Sequence, residues 1–347
     1  MSGVEHIVVS SEDGGQRLDR WLKRKYEFIG QARIEKMCRK GELRIDSSRC
    51  KAASRIEAGQ VIRIPPIPQE SVLARPIETR VISPDDTKLI QAAVIYKDDY
   101  LIVLNKPAGL PTQGGSKQKR HVDGMSEALR FGNEEKPRLV HRLDKDTSGV
   151  LVMARTRKVA QALTEAFRHR ETRKIYWAAV AGVPSPKMGT IKYGLRKAPG
   201  RGSGGEGEKM QCIHPRDLAQ YDDAKRATSD YAVLNQLAKR AAWVALSPIT
   251  GRTHQLRAHM AEIGHPIIGD GKYGGSGQEN QGDGWGAQLG GDISRKLHLH
   301  ARFISFQHPA RREIVNFTAE LPRHISATWS TFQWDLEEVP NDPFEAE

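Results

Sequence analysis

The chain has 347 residues, 38% of them hydrophobic, enough for two globular units with cores of their own. No apolar run approaches the ~18 residues a membrane-spanning helix needs, and the opening MSGVEHIVVSSEDGGQ lacks the order of a secretory signal, so a soluble cytoplasmic protein is expected. The net charge is +12, but the last 13 residues, DLEEVPNDPFEAE, hold six acids and no Lys or Arg, leaving +18 on the rest.

A basic body implies a polyanionic partner. With no basic amphipathic helix or lipidation motif to favour a membrane surface, nucleic acid fits better. Cys38, Cys50 and Cys212 are too few and too scattered for a disulfide framework or a paired-cysteine metal knuckle, and read as small core residues or idle thiols.

Residues 11 to 66 read as a small module. RLDRWLKRKY places Leu18, Trp21 and Leu22 on one helical stripe, and QARIEKMCRKG repeats the pattern with Ile34, Met37 and Cys38 before Gly41 as a C-cap. Arg33, Lys36 and Lys40 then share the opposite face. ELRID and QVIRIPP are short alternating strands, closed by Pro65 and Pro66. Residues 67 to 90 are punctuated by proline and read as a linker. From 91 to 323 strands (YLIVLNKP, GVLVMA, KIYWAAVAG, WVALSPI, LHLHARFISF) alternate with helices (TRKVAQALTEAFRHR, THQLRAHMAEIG). Two Gly-rich stretches, APGRGSGGEGEK and GDGKYGGSGQENQGDGWGAQLGGD, lack the strand-to-helix context of a phosphate-binding loop and read as mobile loops. Residues 335 to 347 read as an acidic, disordered tail.

Three stretches carry candidate chemistry. In HRLDKDTSG, residues 141 to 149, Asp144 stands in a polar loop just before a rigid strand, where a carboxylate can serve as nucleophile or general base. Asp146 competes with it, but DKDTSG has turn chemistry, with Asp and Ser side chains bonding to backbone and Gly149 taking a difficult dihedral. In GRTHQLRAHM, Arg257 enters from a helix and can hold a carboxylate ionised; His254 and His259 lack metal spacing. In KIYWAAVAG, period two puts Tyr176, Ala178 and Val180 on one strand face, so Tyr176 offers a ring for stacking and a hydroxyl. Taken singly, a turn aspartate, a basic surface helix and a core aromatic are each the commoner explanation.

Two resemblances change that weighting. GQRLDRWL, ARIEKMCRKGELRID and KAASRIEAGQVIRIP resemble the S-four RNA-binding domain, which implies RNA contacts by Arg33, Lys36, Arg39, Lys40 and Arg44. KPAGLPTQGG, RLVHRLDKDTSGVLVMA, KIYWAAVAG and GRTHQLRAHMAEIGHPIIGD, in that order, resemble the RNA pseudouridine synthases of the RluA family, which carry HRLDxxTSG. With the S-four domain in front, the resemblance is to the RluC/RluD type, which acts on large-subunit ribosomal RNA. It spans residues 11 to 322 and implies an α+β protein: a mixed, largely antiparallel sheet with flanking helices, behind a small α/β RNA-binding module. It implies Asp144 as the catalytic carboxylate, Tyr176 as the active-site tyrosine and Arg257 as the arginine that pairs with the aspartate. Arg142, Lys145, Arg252 and His254 are then RNA-contacting, with Arg142 assisting base flipping. Where some relatives have Val-His after KPAG, this chain has Pro-Thr-Gln, and Gln113 receives no role.

The implied reaction breaks the bond from the sugar to nitrogen 1 of uracil, rotates the base and rejoins it through carbon 5. Nothing is oxidised and no group is added, so no cofactor or metal is expected; the expected protein is a monomer working on large-subunit ribosomal RNA. The rivals are a non-catalytic RNA-binding ribosome-assembly factor, a glycoside hydrolase, which needs a second carboxylate, and a metal hydrolase built on His298 and His300.

Overall fold

The computed structural model describes residues 3–26, 29–67, 82–114, 120–168, 172–198, 209–274, 293–340 and 342–344. The chain divides into two compact units, Met1–Val81 and Ile82–Glu347.

The first unit holds β1 (Glu5–Val8), α1 (Leu18–Lys25), α2 (Gln31–Lys40), β2 (Arg44–Ile45), β3 (Ser48–Arg49) and β4 (Val61–Ile64), with an antiparallel sheet ordered β1-β4-β2-β3. Leu18, Trp21 and Leu22 of α1 and Ile34, Met37 and Cys38 of α2 are buried in one core, as their spacing predicts. Gly41 ends α2 in the left-handed region at φ 71°, where a side chain would be strained. The unit starts earlier than residue 11, because β1 pairs along β4.

The second unit contains α3 (Pro84–Ala92), β5 (Val94–Lys97), β6 (Leu101–Lys106), α4 (Val122–Met125), β7 (Arg138–Leu139), β8 (Ser148–Ala154), α5 (Arg157–Arg168) and β9 (Arg173–Ala181). It continues with β10 (Met188–Lys197), β11 (Met210–Ile213), β12 (Lys225–Leu237), β13 (Ala241–Pro248), α6 (Gln255–Glu262), β14 (Leu299–Gln307), β15 (Ile314–Thr318) and α7 (Arg323–Thr331). Eleven strands form one sheet along β11-β10-β12-β13-β9-β14-β8-β6-β5, with β15 on β14 and β7 on β8. All pairs are antiparallel except β14 with β8, whose short parallel contact joins the two halves of the sheet. The fold is therefore α+β with a mixed, largely antiparallel sheet.

That parallel contact depends on Gly149. Its φ is +108°, and a Cβ there would lie 2.2 Å from the Ala301 carbonyl oxygen, so only glycine lets β14 approach. The turn chemistry read into DKDTSG is corrected at Ser148, whose hydroxyl bonds His300 Nδ1 at 2.9 Å instead of backbone. On β9 the alternation holds: Tyr176, Ala178 and Val180 face one core, while Ile175, Trp177 and Ala179 face another.

Two boundaries differ from expectation. Residues 68 to 81 of the expected linker lie outside the described residues, but 84 to 90 belong to α3, which Ser83 caps by accepting from Asp86 N–H. The apolar signal was a single buried residue, Ile90. The acidic tail is docked, at least through Phe344: Asp342 pairs with Arg173 at 2.5 and 2.8 Å, and Val339 and Phe344 pack on the core that holds Trp329 and Trp334. Residues 199–208 and 275–292 of the Gly-rich stretches lie outside the described residues.

His259, His298 and His300 are fully buried, and burial pushes their pKa values down to about 4, 4 and 3. The unfolded chain binds protons on them near 6.5 while the folded chain does not. Stability is therefore full above that pH and falls as pH drops toward 4. Between pH 6.5 and 5 each histidine should withdraw about 2 kcal/mol. Urea unfolding at pH 7 and pH 5 should show the loss; a midpoint independent of pH would contradict it.

Candidate active site

Asp144 sits in the loop between β7 and β8, and the chain on either side of it is anchored. The buried Thr112 hydroxyl donates to the Leu143 carbonyl at 2.7 Å and accepts the Leu143 N–H at 3.1 Å. The Lys145 carbonyl accepts from Lys106 Nζ at 3.1 Å and from Gly109 N–H at 2.9 Å. Lys106 is fully buried, and its ammonium also reaches the Pro107 and Leu110 carbonyls. Burial pulls its pKa down to about 7 against the opposing charges of Asp146 and Asp144.

Opposite the loop, α6 begins at a buried anchor. The Gln255 amide donates to Thr228 O and Ser229 Oγ at 2.8 Å, while its oxygen accepts from Thr250 Oγ1 and Arg252 N–H. These bonds pin the helix start to β12 and bury Gln255 through Met260, so Arg257 is no part of a surface helix. His254 precedes it in the left-handed region at φ 51°, a strained conformation that the packed neighbours hold.

Arg257 divides its guanidinium between two acids. Nε and Nη2 donate to the Asp270 oxygens at 2.7 Å each, and Nη1 lies 3.5 Å from Asp144 Oδ2. Burial would lower the arginine's pKa, but Asp270 and Asp144 hold it above the ordinary value. Asp270 Oδ1 also accepts the N–H groups of Lys272 and Tyr273. Preceding Gly269, at φ +75°, passes so near Lys296 that a Cβ would meet its carbonyl oxygen at 2.0 Å.

His254 Nε2 lies 3.7 Å from the same Asp144 oxygen. The Tyr273 hydroxyl accepts Met210 N–H at 2.8 Å and shares a hydrogen bond with His254 Nδ1 at 3.0 Å; with the hydroxyl donating, the histidine proton sits on Nε2, toward Asp144. Burial lowers the His254 pKa against the pull of Asp144, and burial pushes Tyr273 up to about 12, so the neutral tautomer and the phenol both persist at neutral pH. Burial and the Asp144 charge likewise raise Tyr176.

A cleft of about 750 Å³ is lined by Arg142, Asp144, Tyr176, Arg252, His254 and Arg257 among others. Six expected residues thus meet at one place. Arg142 is exposed and has no side-chain partner among the described residues, whereas Arg252 donates to the Arg226 carbonyl at 3.2 Å. The Lys145 side chain is exposed and outside the cleft lining. In the first unit, Arg33, Lys36, Arg39 and Lys40 are exposed on α2, while Arg44 donates to the Gly41 and Ser47 carbonyls and closes the turn.

Thr112 and Lys106 had no reading from sequence, and Asp270 and Tyr273 fell in the Gly-rich stretch read as a mobile loop; that expectation is corrected at its start, where Asp270 is buried on Arg257 and the Tyr273 hydroxyl bonds Met210 and His254. The signal for Asp270 was available: an arginine on a buried helix needs a carboxylate, and GHPIIGD supplies one beside a glycine. Asp144 is the one acid lining the cleft among the described residues, so a two-carboxylate glycosidase does not fit. His298 and His300 spend both ring nitrogens on protein partners. Among the described residues no group of three His, Cys, Asp or Glu is placed to hold a metal ion. Among the described residues no helix is long and apolar enough to cross a membrane.

Replacing Asp270 by Asn leaves Arg257 buried with half its compensation. Asp270→Asn should destabilise the second unit by about 3–5 kcal/mol in urea unfolding; a loss below ~1 kcal/mol would show that water or Asp144 compensates.

A family model described as RNA pseudouridylate synthase matches residues 100–262. Ribosomal large subunit pseudouridine synthase C of Vibrio cholerae is 33% identical over 93% of this chain and 95% of its own length, and the Haemophilus influenzae protein of the same name is 33% identical over 94% of each. The solved human RNA pseudouridylate synthase domain containing 4 superimposes with a TM-score of 0.57 at 31% identity, covering 71% of this chain and 95% of its own. Identity at this level over nearly the whole length, together with an Asp, Tyr and Arg meeting in one cleft, makes the chain a member of the RNA pseudouridine synthase family.

Proposed function

We propose that the protein isomerises specific uridines of large-subunit ribosomal RNA to pseudouridine, with Asp144 as the acting carboxylate. The observation that carries this is Asp144 held toward the cleft by Arg257 and His254 beside the Tyr176 ring. The large-subunit substrate is supported by the names of relatives that align over almost their entire length.

The bond between C1′ and nitrogen 1 breaks, and Asp144 acts either as nucleophile at C1′ or as base at the neighbouring sugar carbon. The freed uracil turns and forms the bond from carbon 5 to C1′; the carbon 5 proton leaves and nitrogen 1 gains one, so the sum is an isomerisation. Arg257 and His254 fix one carboxylate oxygen and leave the other for the sugar. Tyr176, kept as a phenol, stacks on the uracil and confines its rotation. The base reacts outside the stack, at a flipping cost of a few kcal/mol, which Arg142 offsets by filling the gap. Lys145 and Arg252 meet neighbouring phosphates, and Arg33, Lys36, Arg39 and Lys40 bring salt-dependent affinity from the first unit; Arg44 serves there by shaping the turn. The basic body suits RNA, and a cytoplasmic monomer suits that substrate.

The test maps pseudouridine in large-subunit ribosomal RNA, free and in assembly intermediates, after incubation with the wild type and with Asp144→Asn. Pseudouridine at discrete sites with the first and none with the second is expected. Binding by both and modification by neither would favour an assembly factor.

A further inference from the structure

The cleft extends past Asp144 toward α5, where its wall is formed by His141, Thr164, Phe167, Thr172, Arg173 and Lys174. Lys174 is the group there without an obvious structural purpose. It is half-buried, its Nζ lies 4.9 Å from the centre of the Phe167 ring, and no hydrogen bond or ion pair reaches it from any described residue. Burial lowers its pKa, as it does for an ammonium without a counter-ion. Among the described residues no carboxylate is paired with Lys174. Arg173 is committed to Asp342, and His141 accepts Val152 N–H on Nε2, so its other nitrogen carries the proton. His141 stays neutral because burial and the nearby Lys174 charge push it down to about 3.

Lys174 and Tyr176 are two residues apart on β9, so their side chains leave the same face of the strand about 7 Å apart. Both line the cleft. Building on the RNA-modifying reading above, we propose that Lys174 is a binding site for a phosphodiester group of the substrate RNA, next along the backbone from the nucleotide at Asp144. A ring-supported ammonium that faces the cleft and has no carboxylate partner among the described residues lacks an anion, and the polyanionic substrate would pass beside it. The site stores an unfavourable charge in the free protein and discharges it on binding.

The test uses the full chain and a large-subunit ribosomal RNA transcript on which wild-type modification is scored in parallel. For Lys174→Met, which keeps the contact with Phe167, the slope of log affinity against log salt should shrink by about one, with several-fold weaker binding. Lys174→Arg should retain the slope, and Tm of the Met variant should hold or rise because an uncompensated charge is gone. Single methylphosphonate replacements along the transcript should weaken wild-type binding at one position that no longer matters in Lys174→Met. An unchanged slope and an unchanged methylphosphonate profile would overturn the phosphate site and return Lys174 to packing on Phe167. Absence of pseudouridine with the wild type would count against the proposed reaction instead.

Discussion

The site is organised around a buried guanidinium shared by two carboxylates. Arg257 gives two parallel hydrogen bonds to Asp270 and has its third nitrogen left for Asp144. Neither link replaces the other. Arg257 alone would be a desolvated charge, costly inside a protein, and Asp270 neutralises it in fork geometry that a lysine cannot match. Because that bond uses Nε and Nη2, the direction of Nη1 is no longer free, and the position of the second acid follows from it.

Much of the surrounding chain serves this division. Gln255 seats the helix on β12, Gly269 lets the chain carrying Asp270 pass Lys296, and Tyr273 both lies under the guanidinium and hydrogen-bonds His254 Nδ1. From the other wall, Thr112 and Lys106 hold the peptide groups flanking Asp144, so the carboxylate arrives from a loop that behaves like part of the sheet. Gly149 completes the arrangement by letting β8 meet β14, which brings the Asp144 loop to the strand next to Tyr176.

The legibility of the chain divides along the range of the interactions. Periodicity located the amphipathic helices α1 and α2 and the alternation along β9, because burial of one face is a local pattern. It failed for α3, which buries one residue, and for the tail, whose acids dock through Asp342 on a distant arginine. In the site, HRLDKDTSG, KIYWAAVAG and GRTHQLRAHM named the groups facing the cleft. The groups behind them were missed: Thr112 acts across 31 positions of sequence, and Asp270, which meets Arg257 across 13, sits at the start of a Gly-rich stretch whose composition reads as a mobile loop. Charge likewise says nothing of two backbone contacts: Arg44 bonds the carbonyls of its own turn through Nε and Nη1, and the Lys145 carbonyl anchors the Asp144 loop while its side chain stays exposed.

The most direct test of the shared guanidinium is single-turnover release of tritium from carbon 5 of labelled uridine in substrate RNA, comparing wild type with Arg257→Lys. Lysine keeps the positive charge but cannot serve Asp270 and Asp144 together. Arg257→Lys should lower the single-turnover rate by about 100-fold or more, the scale expected when a positioned group is lost, with RNA affinity little changed. A lysine variant that releases tritium at the wild-type rate would show that charge alone suffices and that the division of Arg257 between two acids is incidental.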